Sequence, residues 1–193
     1  MNAKIALIGS GNAFFMDEGI GLYAGKYLKE NFTYEPALDI VDGGTLGFLL
    51  MPLLQEYEYV IIANTSSDDS KAIGTIEVMS GDELIANQGI KKTANEVEIT
   101  EMLQICSMAH HCAQTTMISI VPEDIISVSV DVTPALRAHW DRYIEVIVEE
   151  LSKCGITATL KSDVMSLDEI IEQFANPSIE HGKGFLGYVD CRI

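Results

Sequence analysis

The chain has 193 residues, of which 48% are apolar, and its 29 acidic and 12 basic side chains give a formal charge of −17. This length fits one domain, or one domain with an appendage, and suffices for a buried core. A chain so acidic repels polyanions, which argues against nucleic acid as the principal partner. The acidity serves either solubility or attraction of a basic partner or cation.

No apolar run approaches the roughly 20 residues that span a bilayer, and the first predicted strand leaves no room for a signal peptide. We therefore expect no membrane insertion and a cytoplasmic location. The four cysteines show no paired spacing. This pattern agrees with a reducing compartment rather than with a disulfide framework.

Predicted strands and helices alternate along the first 160 residues. The strands are short and mostly apolar, at residues 4–8, 38–41, 59–63, 75–79, 116–121 and 157–160. Helical spacing of apolar residues, or a threonine cap followed by proline, predicts helices at residues 17–31, 46–55, 97–108 and 134–153. Residues 125–132 alternate, and 167–174 predict a further short helix. The alternation predicts an α/β fold, a three-layer α/β/α sandwich.

Two glycine-rich turns follow the first two predicted strands. The first, Gly9-Ser10-Gly11-Asn12, leads to the acidic pair Asp17-Glu18, and the second is Asp42-Gly43-Gly44-Thr45-Leu46-Gly47. The carboxyl ends of parallel strands meet at one edge, where open α/β sheets bind ligands. Acids at a helix start also suit the helix dipole, so Asp17 and Glu18 have a purely local interpretation as well.

Several familiar sites do not fit the sequence. Phe14 stands where a dinucleotide fingerprint needs its third glycine, and neither a Walker lysine nor a Gly-x-Ser-x-Gly turn is present. Cys106, His110, His111 and Cys112 offer soft metal ligands. However, no second ligand pair has zinc-site spacing, so an ordinary surface helix end is the favoured interpretation of this cluster.

An oxygen-rich set remains, formed by Glu18, Asp42, Asn64 and the segment 93–96. Such side chains at strand ends can surround a cation or polarise a peptide carbonyl. Asp and Asn also occupy strand ends for local turn formation. Residue types alone leave both explanations open.

The order of these motifs resembles the nickel-iron hydrogenase maturation proteases. The resemblance rests on the two glycine turns, the Asp17-Glu18 pair, Ala63-Asn64, Val121-Pro122-Glu123 and Thr133-Pro134. It covers about residues 3 to 157, which predicts a protease-like domain at 1–160 and a C-terminal extension at 161–193. It implies a five-stranded, mostly parallel sheet between helices, of the phosphorylase/hydrolase-like type.

The resemblance also implies a function. Such proteins are endopeptidases that remove a short C-terminal peptide from the hydrogenase large-subunit precursor after nickel insertion. Nickel in the precursor is their recognition mark. The implied partner is therefore that precursor, and the implied metal is nickel supplied by the substrate, with none bound in the isolated protein.

The implied site residues depart from the family at two positions. Glu18 corresponds to the family's catalytic and metal-contacting glutamate, and Asp42, Gly43, Gly44 and Thr45 to its substrate-positioning loop. The other two metal positions hold Asn64 and Asn95 instead of an aspartate and a histidine. Two hypotheses follow: an active endopeptidase, or an impaired relative that serves the precursor as chaperone or assembly factor. A small-molecule hydrolase or carrier is a third.

Overall fold

The computed structural model describes residues 4–45, 47–66, 68, 70–86, 94–108 and 112–176, with the backbone alone at 94 and 95. Its strands are β1 (Ile5–Ser10), β2 (Phe32–Glu35), β3 (Asp39–Gly44), β4 (Tyr59–Thr65), β5 (Ile76–Ser80), β6 (Gln114–Ile120) and β7 (Thr157–Leu160). Five of them form one sheet in the order β3-β1-β4-β6-β5, in which only β5 is antiparallel to its neighbour. The predicted five-stranded, mostly parallel sheet is confirmed.

Helices cover both faces of this sheet. They are α1 (Ile20–Asn31), α2 (Met51–Glu56), α3 (Gly81–Ala86), α4 (Ala94–Ser107), α5 (Pro134–Arg137), α6 (Trp140–Lys153) and α7 (Leu167–Ala175). Two 3-10 helices, Met16–Gly19 and Gly47–Leu50, precede α1 and α2. The three-layer α/β/α prediction is therefore confirmed. Among the described residues, no helix combines the length and apolar character needed to cross a bilayer.

The central strands are buried on both faces because each face packs on its own set of helices. On β1, Leu7 joins the core formed with α1, α6 and α7, whereas Ile8 joins the core formed with α2, α3 and α4. Strands covered on both sides are continuously apolar rather than alternating. This explains why β1 and β4 were predictable as strands from composition alone.

Several element boundaries differ from the prediction. The predicted helix 17–31 begins with a 3-10 turn, and the predicted helix 134–153 breaks at His139, whose ring packs against the open side of Gly74. Residues 81–86, where no helix or strand was predicted, form α3. The unpredicted strand β2 pairs with β7 in a separate antiparallel ribbon.

The described part of the predicted C-terminal extension packs on the domain. The predicted short helix is confirmed as α7, which starts with a capping box between Ser166 and Glu169. Its residues Ile170 and Ile171 are buried in the same core as α1. The division at residue 160 remains a prediction, and residues 177–193 lie outside the described part of the chain.

Candidate functional site

The start of α1 lies directly over the carboxyl ends of β1 and β4. A Cβ atom on Gly21 would stand 2.3 Å from the carbonyl oxygens of both Ser10 and Ala63. Only glycine permits this approach, because real side chains do not tolerate such contacts. The first turn before α1, which carries Glu18, is therefore held at the sheet edge where α/β proteins bind ligands.

The main chain of Glu18 is fixed from two sides. The Thr65 hydroxyl donates to the carbonyl oxygens of Asp17 at 3.2 Å and Glu18 at 3.4 Å. The Asn12 N–H donates to the Glu18 carbonyl at 3.2 Å. These bonds join the candidate catalytic residue to the ends of both central strands.

The side chain of Glu18 is half-buried and faces a second carboxylate. Burial raises the pKa of the Glu18 carboxyl, and the nearby charge of Glu96 in the first turn of α4 raises it further. A carboxylate with reduced hydration and a like charge beside it attracts cations strongly. This pair therefore favours a positively charged group in a ligand.

The neighbouring residue Asp17 has a different role. Its fully buried carboxylate accepts hydrogen bonds from the N–H groups of Glu123 (2.9 Å), Asp124 (3.1 Å) and Thr133 (2.7 Å), and from the Thr133 hydroxyl (2.9 Å). Asp17 and Glu18 lie in the first turn of the 3-10 helix, as the local interpretation by the helix dipole predicts, but neither this turn nor α1 has a side-chain cap hydrogen bond. Asp17 instead anchors the loop that follows β6.

The second glycine turn lies beside the first. The Asp42 carboxylate accepts the Gly44 N–H at 3.0 Å, and Gly44 has a φ of +48°, which favours glycine. The Gly44 carbonyl accepts the Gly11 N–H at 3.0 Å and the Ser10 hydroxyl at 3.2 Å. Of the predicted substrate-binding residues, Asp42 and Thr45 are exposed, Gly44 is partly exposed and Gly43 is buried.

Asn64 belongs to a buried polar row across the sheet. Ala63 pairs with Gly9 and Asn64 with Ser119, so Ser10, Asn64 and Ser119 follow one another on β1, β4 and β6. All three are at most 1% exposed. Their side chains lie on the same face of the sheet as Ile62 and Met117, which pack in the core with α4. In the sequence, this row was indicated by polar residues at the ends of apolar strands.

The third predicted metal position is located by its backbone. Asn95 lies in the first turn of α4, and its side chain is outside the described residues. The next residue, Glu96, is 6% exposed and close enough to Glu18 to affect its pKa. The sequence placed this segment at the site but gave no reason to single out Glu96.

The chemistry at this edge is that of oxygen donors. Within the described residues, no group of three His, Cys, Asp or Glu side chains is arranged to hold a metal ion. Of the sulfur-imidazole cluster considered from the sequence, Cys106 and Cys112 lie close enough for their thiols to hydrogen bond. His110 and His111 lie outside the described residues.

Known proteins are similar to this chain in sequence and in fold. Hydrogenase expression/formation protein HupD from Rhodobacter capsulatus is 26% identical over 182 residues, covering 93% of this chain and 86% of the relative. Hydrogenase 2 maturation protease from Escherichia coli is 23% identical over 156 residues, covering 80% and 94%. Among solved structures, the hydrogenase maturating endopeptidase HybD from E. coli aligns with a TM-score of 0.76 at 24% identity, covering 83% and 99%.

A more distant solved structure, the [NiFe] hydrogenase maturation protease HybD from Thermococcus kodakarensis, aligns with a TM-score of 0.59 at 21% identity, covering 77% of this chain and 98% of that one. The family model for hydrogenase maturation protease matches residues 22–150, well over half of the chain. This match extends from α1 to α6 and contains the second glycine turn and Asn64, whereas β1 and Glu18 precede it. On this evidence the chain belongs to the hydrogenase maturation protease family.

Proposed function

We propose that this protein is an endopeptidase that cleaves the C-terminal tail of a nickel-loaded hydrogenase large-subunit precursor. Membership of the maturation protease family supports the reaction class. The observation that carries the proposal is the half-buried Glu18, fixed at the carboxyl edge between β1 and β4. A cation-attracting carboxylate at this edge suits a substrate that brings its own metal.

Each site residue has a proposed part. Glu18 contacts the metal-bearing region of the substrate and is the catalytic residue. Asp42, Gly43, Gly44 and Thr45 position the substrate tail, because glycine allows an extended peptide to approach the main chain closely. Asn64 and Asn95 stand at the remaining metal-facing positions, where amide oxygens supply weaker contacts than carboxylate or imidazole.

Nickel belongs to the substrate in this proposal. Nickel prefers nitrogen donors, whereas the described side chains at this edge, among them Glu18, Asn64 and Glu96, provide oxygen donors. Such a set suits a brief contact with a metal already coordinated by the precursor. It does not suit a resident nickel ion.

Asn64 favours a second candidate function. A neutral amide replaces the carboxylate expected from the family at a buried position next to Ser119. A protein with a weakened metal-facing set retains the surface needed to hold the precursor. It would then serve as a chaperone or assembly factor rather than as a protease.

Incubation with the nickel-loaded precursor distinguishes the two functions. We expect intact-mass spectrometry to show loss of a single C-terminal peptide from the loaded precursor and no cleavage of the nickel-free form. A stable complex of the two proteins, isolated with the tail still intact, would instead identify the assembly factor. Absence of both cleavage and complex would reject the proposal.

A further inference from the structure

Three large apolar side chains stand exposed on the loops next to Glu18. Phe14 is 64% exposed, Ile126 82% and Val128 77%. Isolated exposed apolar residues are common, but a group of them beside a ligand-binding edge indicates an interaction surface. We call Phe14, Ile126 and Val128 the apolar platform.

The two loops that form the platform are paired with each other. The Ser129 N–H donates to the Phe14 carbonyl at 3.0 Å, and the Met16 N–H donates to the Ser129 carbonyl at 2.9 Å. Phe15 and Ser129 form a parallel β-bridge. The peptide group that joins Val128 to Ser129 therefore lies against the Phe14 carbonyl, which brings the two loops together at the platform.

The platform is held in place before any partner arrives. The Asp124 carboxylate accepts the Ile126 N–H at 2.8 Å and the Ser127 N–H at 2.9 Å. The main chain of Asp124 is bonded in turn to Asp17, through the buried Asp17 carboxylate and the Asp17 N–H. A loop ordered in advance loses little conformational entropy on binding, so these exposed side chains are suited to docking.

The surroundings of the platform are acidic. Glu18 follows Phe14 by four residues, and exposed Glu123 precedes Ile126 by three. The basic side chain of Arg137, which donates to the Val132 carbonyl on the loop after β6, is already engaged by Asp131 and Asp168. With a net charge of −17 on the chain, a complementary partner is apolar at its centre and basic around it.

From this arrangement we infer that the apolar platform docks the folded body of a protein partner through an apolar face bordered by basic side chains. All three side chains are more than 60% exposed, so they form an open surface, which suits a folded body better than an extended tail. That this body is the large-subunit precursor rests on the proposed function. Docking there brings the partner's tail to Glu18, only four residues from Phe14.

The test compares two triple variants in cleavage and binding of the nickel-loaded precursor. The platform variant is Phe14→Ser, Ile126→Ser and Val128→Ser. The control variant is Ile105→Ser, Leu160→Ser and Val164→Ser, which removes side chains 49%, 52% and 41% exposed on other surfaces. Binding is measured by interferometry with Glu18→Gln added to each protein, so that cleavage is too slow to affect the measurement.

We expect the platform variant to raise KM and Kd about tenfold or more while kcat stays within about twofold, and the control variant to match wild type. Thermal unfolding checks both folds. If the platform variant unfolds early, the double variant Val128→Ser with Glu123→Gln replaces it. Added salt should then weaken precursor binding more for wild type than for the double variant, which has lost one acidic charge.

The other outcomes overturn the inference. Unchanged KM and Kd in a folded platform variant would reject the docking surface while wild-type cleavage keeps the proposed function. Loss of a dimer in sedimentation, with KM unchanged, would assign the platform to a second copy. If removal of residues 177–193 raised the precursor affinity of wild type but not that of the platform variant, the platform would be assigned to the chain's own tail. Wild-type protein that neither binds nor cleaves the precursor would reject both proposals.

Discussion

Asp17 and Thr133 are joined by two hydrogen bonds across 116 residues of sequence, from the Thr133 N–H at 2.7 Å and its hydroxyl at 2.9 Å. The same Thr133 hydroxyl caps the first turn of α5 by accepting the Leu136 N–H. One buried carboxylate therefore ties together the turn that carries Glu18, the loop after β6 and the start of the next helix. The geometry of the site depends on this carboxylate.

We expect Asp17→Asn to lower the free energy of unfolding by about 2–3 kcal/mol. The four groups around this side chain are all donors, so the amide NH2 group finds no acceptor, and hydrogen bonds to a charged acceptor are lost. Urea denaturation measures the change. Asp163→Asn, at an exposed position, serves as the control and should stay within about 0.5 kcal/mol of wild type. Equal stability of the two variants would contradict the anchoring role of Asp17.

Gly21→Ala should displace α1 from the sheet edge. Its Cβ would meet two backbone carbonyls at 2.3 Å, and backbone yields less readily than a flexible side chain. We expect a loss of at least about 1–3 kcal/mol in the free energy of unfolding. Gly81→Ala is the matched control, because its Cβ would meet Thr115 at an ordinary 3.5 Å. Crystal structures or thermal unfolding that show both variants unperturbed would argue against the close packing at Gly21.

The sequence was sufficient to predict the sheet, but not the loop after β6. Residues 125–132 alternate, yet only Ser129 forms a bridge. The reason is that carboxylates take the N–H groups a strand would need: Asp124 binds those of Ile126 and Ser127, and Asp17 binds that of Thr133. Periodicity does not report hydrogen bonds from carboxylate side chains to the main chain.

The short strand β2 and the position of Glu96 near Glu18 were unpredictable for a related reason. Strand β2 has four residues directly after a helix, and it is stabilised by pairing with β7 more than a hundred residues away. Glu96 is important only because the packing of α4 brings it near Glu18. By contrast, the glycine turns carry their geometry locally, which is why they identified the edge.

Cys106 should affect stability at alkaline pH. Burial raises the pKa of its thiol from 9.0 to about 11, and neighbouring Cys112 adds to this shift. Because the folded-state pKa is the higher one, the stabilisation is complete below pH 9 and is lost as the pH rises toward 11. Wild type should therefore lose more stability than Cys106→Ala over this range in urea titrations. Parallel curves would show that the thiol is not protected.

Asn64→Asp combined with Asn95→His should increase nickel affinity. The two changes add a carboxylate and an imidazole, which are better nickel donors than amides. We expect calorimetry to show at least about tenfold tighter binding, and nickel to raise the melting temperature of the double variant. Adding Glu18→Gln to the double variant should abolish most of this gain. If the double variant itself binds nickel no more tightly than wild type, residues 18, 64 and 95 do not belong to one site.

Cleavage of the nickel-loaded precursor by wild type and by Glu18→Gln shows whether Glu18 is the catalytic residue. Single-turnover mass spectrometry should show release of the C-terminal peptide by wild type and release at least about a hundredfold slower by Glu18→Gln. The control Glu101→Gln, at an exposed position on α4, should release the peptide at the wild-type rate. Release by Glu18→Gln at the wild-type rate would show that Glu18 is not the catalytic residue.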